Sequence, residues 1–347
     1  MRIDRVFLSV LATMLFAVAY SDTVRFGAIV LDDVTSLPIP NVEVCFSFKE
    51  DVGWRAWTES SKHQKTYCHT DLNGACHSEG NSNCGKAGCY VKNPPNGYYH
   101  SPTGWKNQFE NKNLFGVWQP DNLVATIRLQ RVEHPIPLFV KNVGDHVNRS
   151  KVGCWNGTNT VFRYDLVKGD YLPPDGKGEV ADLVVDSGIS YLETTNVWRE
   201  TKTFFDIKNV VRFPGEGNGL IPEMTKPTDG IKLRRAPEDG YVQSFSLKCG
   251  TRKRVVGVNL ARERYSETDE RRCHCFRIRS RFDEKGKLLE AYYGKIYGDF
   301  KIGGSLEYGP SVEFLYYLNP TPLDRNLEWD CKTNLCPTQG RRSNFLP

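Results

Sequence analysis

GAIVLDDVTSLPIPNVEVCFSF, Gly27 to Phe48, reads as a strand, a turn and a second strand. In its second half Val42, Val44, Phe46 and Phe48 alternate with Glu43, Cys45 and Ser47, and a period of two places the apolar set on one buried face of a strand. Pro38 and Pro40 flank Ile39, and their fixed φ angles stiffen the reversal between the strands. Further on, TDLNGAC, Thr70 to Cys76, supplies a polar turn in which Asn73 and Gly74 can take the positive φ that hairpins need. These segments predict a small β-sandwich.

Working outward, Leu123, Ala125, Ile127 and Leu129 alternate with Val124, Thr126, Arg128 and Gln130, a strand that closes the sandwich. Residues 51–119 between are irregular and rich in Gly, Asn, Lys and Cys, with part of them, near Lys65 to Thr70, returning as a strand. His134-Pro135-Ile136-Pro137 marks a junction, because two prolines remove ladder donors. Beyond it Tyr241 to Leu247, Phe276 to Phe282, Leu288 to Tyr297 and Val312 to Leu318 read as strands, and Asp283 to Gly286 as a hairpin turn. Leu260 to Arg272 is the one modest helix candidate. The expected fold class is all-β, an N-terminal sandwich over residues 22–133 and a second β-rich domain over residues 138–347.

The strand ending at Asp32, the Thr35-x-x-Pro38-Ile39 turn, the Asn41-Val42 strand and the Thr70-Asp71-x-x-Gly74 turn together resemble the carboxypeptidase regulatory-like, or transthyretin-like, module. That resemblance covers about the first third of the chain and implies a seven-stranded Ig/transthyretin-like sandwich. It also implies a binding or structural accessory without a catalytic set. The C-terminal part resembles exported bacterial proteins of unassigned role, which implies no function.

Arg2 and Arg5, the apolar run Val6 to Ala19 and the small residues Ala17 and Ala19 read as a secretory signal peptide over residues 1–19. The run is shorter than the ~20 residues that span a bilayer, and no later segment reaches that length, so no integral membrane segment is expected. The 46 basic and 41 acidic residues leave a net charge of only +5, too scattered for a nucleic-acid face. Eleven cysteines in an exported chain predict disulfides, with one thiol left over or bonded to another chain. The expected pairs are Cys331 with Cys336 and one within the group Cys76, Cys84 and Cys89.

Three groups of residues invite a function. Asp170, Asp175, Glu179 and Asp182 lie among glycines in YDLVKGDYLPPDGKGEVADL, Tyr164 to Leu183. Such carboxylates suit a hard cation such as calcium, a glycosidase acid/base pair, or simply a solvated loop, and no other cofactor is expected. Trp54, Trp57, Tyr98, Tyr99, Trp105 and Trp118 sit in polar, Gly-rich surroundings, where exposed rings could stack on a glycan or anchor a protein, and where a satellite core is the competing reading. His63, Cys68, His69, Cys76, His77, Cys84 and Cys89 lack the spacing of a zinc site, so disulfides are favoured there. In Cys273-His274-Cys275 the two cysteines share one strand face and His274 takes the other. Arg252 to Arg254 and Arg277 to Arg281 read as solvated strand faces. No GxSxG, HExxH, P-loop or helix-opening GxGxxG occurs. The expectation is an exported, non-enzymatic binding or structural protein with a glycan or protein ligand, the alternative being a carbohydrate-active hydrolase.

Overall fold

The structure, a computed structural model, describes residues 23–51, 61–82, 85–99, 111–112, 118–119, 122–144, 159–197, 200–224, 233–256, 259–269, 272–305 and 309–336. They are all-β and fall into two compact units that divide between Val132 and Glu133. Among the described residues no helix is long and apolar enough to cross a membrane. The signal-peptide stretch lies outside them.

The first unit contains β1 (Thr23–Asp32), β2 (Glu43–Asp51), β3 (Ser61–His69), β4 (Ala75–Asn81), β5 (Lys86–Asn93), β6 (Asn111–Lys112), β7 (Trp118–Gln119) and β8 (Leu123–Leu129). Two three-stranded sheets, ordered β4-β1-β8 and β3-β2-β5, bury a shared core, and β6 pairs with β7. The described residues thus place six strands in the two sheets, against the seven implied by the resemblance. Strand β1 runs antiparallel to β4 and parallel to β8. Val42, Val44, Phe46 and Phe48 point into the core as their alternation predicts, and Phe26 meets Phe46 edge to face at 5.6 Å. The opposite face of β2 departs from expectation, since Cys45 and Ser47 are buried too. In β8 the apolar positions turn inward and Val124, Thr126 and Arg128 are exposed.

The turns carry the polar work of this unit. Thr70 accepts the Val42 amide at 2.9 Å and donates to the Ile39 carbonyl at 2.8 Å, tying the end of β3 to the proline turn. Gly74 has φ +69°, and a Cβ there would stand 2.5 Å from the Val30 carbonyl oxygen. Gly74→Ala is expected to destabilise the unit by about 2 kcal/mol, through strain at positive φ and displacement of β1. A denaturant midpoint unchanged from the parent protein would refute this account.

The second unit contains β9 (Ile136–Val143), β10 (Asn159–Asp165), β11 (Asp170–Tyr171), β12 (Leu183–Val197), β13 (Glu200–Arg212), β14 (Gly219–Met224), β15 (Ser244–Val256), β16 (Asn259–Ser266), β17 (Arg272–Phe282), β18 (Leu288–Ser305), β19 (Gly309–Leu318) and β20 (Trp329–Asn334). Two six-stranded sheets, β11-β10-β12-β13-β15-β16 and β14-β17-β18-β19-β9-β20, face each other over one aromatic-rich core. All ladders are antiparallel except that between β20 and β9. Strand β9 begins inside the proline segment expected to be a junction. The helix expected from Leu260 is instead strand β16, because the hairpin with β15 pairs Val255 with Leu260 and continues to Cys249 and Ser266. Long-range pairing overrides weak helix propensity there.

The outer face of the second six-stranded sheet is itself covered. Leu233, Ala236 and Leu327 close over Cys275, Ala291 and Tyr293, and Trp329 packs on Tyr317 with ring centroids 5.7 Å apart. Two backbone bonds, Ala236 N–H to Arg325 O and Leu327 N–H to Arg234 O, hold the two covering segments together.

Candidate functional site

The acidic turn between β10 and β12 is the densest polar centre described. Asp165, at the end of β10, is fully buried, and its two oxygens accept four backbone amides. Oδ1 takes Val167 at 3.0 Å and Lys168 at 2.8 Å, while Oδ2 takes Glu179 and Val180 at 3.0 Å each. Asp182, also buried, accepts the Leu166 amide at 3.0 Å. Between the two carboxylates stands Arg279, which donates to Asp165 Oδ1 at 2.7 Å and to both oxygens of Asp182 at 2.9 Å. Burial pushes Asp165 up, but the amides and Arg279 outweigh it and hold this carboxyl below the usual range. For Asp182 burial wins over Arg279, and its carboxyl is held above the usual range.

Sequence alternation places Arg277, Arg279 and Arg281 together on a solvated face, and for Arg279 the structure corrects this. The ladder between β17 and β18 gains one residue between Ile278 and Arg281, and Arg279 there has φ +53°. A bulge of this kind re-aims one side chain, here inward onto the carboxylate pair. Nothing in the residue pattern signals the bulge, so the centre of the cluster was not legible beforehand. Arg277 stacks over Tyr241 at 4.5 Å, and Arg281 alone of the three forms an exposed pair, with Glu290.

The four carboxylates read as a cation site do not converge. Asp182 is committed to Arg279, and Asp170 accepts the amides of Tyr171 and Lys177 at 2.9 and 3.0 Å. Glu179 pairs with Lys168 at 3.3 Å, and Asp175 is exposed. Among the described residues no three His, Cys, Asp or Glu side chains gather as a metal cage. Asp170 and Asp182 spend oxygens on turn amides and on Arg279, and Glu179 faces Lys168, the ordinary work of carboxylates in turns.

Two further buried centres lie in the second unit. His274 is enclosed between the rings of Phe245 and Phe300, and its Nε2 stands 2.8 Å from Asp299 Oδ1. Asp299 also accepts Arg272 at 2.9 Å and the amides of Asp269 and Phe300. This resembles an acid/base dyad by composition, yet the imidazole is shut from solvent. On the opposite face Lys295 is buried beside Cys275, its ladder partner, with Nζ 5.1 Å from the Tyr317 ring centroid. Burial pulls its ammonium down to about 8. The alternation expected for Cys273-His274-Cys275 is as observed, with Cys275 in the outer cluster and His274 turned to the core.

Tyr99 is buried, and half-buried Tyr98 donates its hydroxyl to Asp32 at 2.9 Å, so neither offers a free ring to a sugar. Arg131 joins the same carboxylate at 2.7 Å and ties the chain after β8 to the end of β1. Trp118 lies in β7, while Trp54, Trp57 and Trp105 fall outside the described residues.

Among the described residues no two cysteines stand at disulfide distance, Cys331 and Cys336 included, and the pairs expected to involve Cys84 lie outside them. Cys331 lies by Tyr317 and Lys295 on the outer face of the sheet, whereas Cys336 lies by Lys141 and Tyr316 on the core side. The sheet separates these two thiols. Cys76 and Cys89 belong to facing sheets, and Cys84 is outside the described residues. Comparison with family models, with curated proteins and with solved structures finds no match for the chain.

Proposed function

We propose that the chain is an exported, non-enzymatic binding or structural protein, and that its ligand is a protein held on the far half of β12, β13, β15 and β16. One observation carries this reading: that half of the sheet is exposed and rich in interface-forming residues. Leu192 is 56% exposed, Val255 74% and Tyr191 43%. Beside them Arg252 stacks over Tyr265 at 3.6 Å, and Lys253 and Arg254 pair with Glu193 and Glu263. Exposed apolar residues mixed with Tyr and Arg suit a protein contact. The polar centres inside the unit, by contrast, spend their carboxylates on backbone amides and arginines. The resemblance of the first unit to a regulatory-like module agrees with an accessory role, and fold analogy adds nothing on the ligand.

The test places a photo-crosslinking amino acid at Leu192 and exposes the mature protein to extracellular and cell-surface proteins, beside an array of polysaccharides. A protein adduct that falls at least tenfold in a Leu192→Asp, Val255→Asp variant supports the proposal. Polysaccharide binding lost on changing Trp54, Trp57 and Trp105 to Ala would shift the ligand to a glycan. Release of reducing ends, lost on changing Asp170, Asp175, Glu179 or Asp182, would establish the hydrolase instead.

A further inference from the structure

Three cysteines meet inside the first sandwich. Cys68 stands opposite Val44 on one sheet, Cys76 opposite Ala28 on the facing sheet, and Cys89 opposite Phe46 on the far side of β2. All three border the same core. Strand β3, which carries Cys68, packs against β4, which carries Cys76, at the corner of the sandwich, and Cys89 borders the same core from β5.

The surroundings show that this approach is built in. Two residues before Cys68 and two after Cys76, the hydroxyls of Thr66 and Ser78 meet at 2.6 Å. Farther out, two residues along β3 and three along β4, Gln64 accepts the amide of Asn81 at 2.8 Å. At the near end the Asp71 amide bonds to the Ala75 carbonyl at 2.9 Å, closing the turn. Strands β3 and β4 belong to different sheets, yet their facing side chains run in step along the corner that joins them. Cys68 and Cys76 occupy one step of that series.

We propose that Cys68 and Cys76 form a disulfide that staples the two sheets together at this corner, with Cys89 kept as a neighbouring thiol. The bond is made by exchange with a disulfide oxidant, RSSR, small molecule or protein. Cys68, half-exposed where Cys76 and Cys89 are buried, loses its proton and attacks one oxidant sulfur, which breaks the S–S bond and releases RSH. Cys76 then gives up its proton and attacks the Cys68 sulfur, displacing a second RSH. Two thiols are oxidised and one disulfide is reduced. Burial raises all three thiols, Cys89 to about 12, so attack is slow and the finished bond is shielded from reductant.

The test equilibrates the full chain in glutathione buffers from reducing to oxidising, blocks remaining thiols under denaturing conditions and maps the links by mass spectrometry. Cleavage before Asp71 and after Glu79 separates Cys68, Cys76 and Cys84 onto different peptides. The expected product links Cys68 to Cys76 while Cys89 carries the blocking group, and the same link forms in Cys89→Ala. Oxidised protein should melt roughly 5 °C or more above reduced protein, a difference that Cys76→Ser abolishes. Cys68 and Cys76 both blocked across the whole series, or Cys76 linked to Cys84 or Cys89, would overturn the assignment.

Discussion

Asp165→Ala is expected to destabilise the second unit by about 3–5 kcal/mol, enough to remove a large part of the 5–15 kcal/mol that holds an ordinary domain. The reason lies in what is left behind. Four amides, of Val167, Lys168, Glu179 and Val180, lose their acceptor in a site closed to water, and Arg279 keeps only Asp182. Each stranded buried donor costs about 1–3 kcal/mol, reduced where the turn can relax toward solvent. Asp170→Ala is the control within the same loop: its carboxylate is half-buried and accepts two amides, so the cost should be nearer 1 kcal/mol. Urea unfolding of the protein, followed in the transition of this unit, gives both values. Equal losses in the two variants would mean that the Asp165 centre does not organise the fold.

Lys295→Met is expected to act in the opposite direction and stabilise the protein by about 3 kcal/mol at pH 7. The native ammonium titrates near 8, against 10.5 for the exposed side chain. Below pH 8 both folded and unfolded chains carry the proton, so the cost of burying the charge is fully present. Between pH 8 and 10.5 the unfolded chain binds more protons than the folded one, and stability contributed by this group therefore rises with pH. The advantage of the methionine variant should shrink across that window and vanish near pH 10.5. Buried tyrosines and thiols titrate there too, and they cancel when the variant is compared with its parent at each pH. A variant less stable than the parent at pH 7 would show that the amine, 3.5 Å from the Leu233 carbonyl, is a net favourable contact.

Lys295 lies beside Cys275, its ladder partner, and near Cys273 and Cys331. Its position below the cover formed by Leu233, Ala236 and Leu327 keeps it from solvent as the structure stands.

Period-two alternation was a sufficient guide to the inner face of Val42 to Phe48 and to both faces of Leu123 to Leu129, because a strand imprints its inner face directly on residue order. Asp283 accepts the amides of Lys285 and Lys287 at 2.9 and 2.8 Å, the local chemistry by which Asp marks a turn. The turn of Thr70 to Gly74 was legible in the same way, but its contacts to Ile39 and Val42, 28 to 31 residues away, were not.

Position across the sandwich was decided by the tertiary structure. Arg279 leaves its expected face because one inserted residue breaks the period, and a bulge has no composition of its own. Cys68 and Cys76 border one core from two sheets because the chain crosses from one sheet to the other at the turn of Thr70 to Gly74. Cys331 and Cys336, five apart, are parted by a sheet. Leu260 joins a strand because β15 offers a ladder. By itself the sequence determined the all-β class, the strands with one apolar face and the polar turns, since each depends on neighbours within a few residues. The Asp165, Asp182 and Arg279 centre, the burial of Lys295 and the thiol pair depend on residues 8 to 114 apart in the chain, whose meeting is set by sheet order and register.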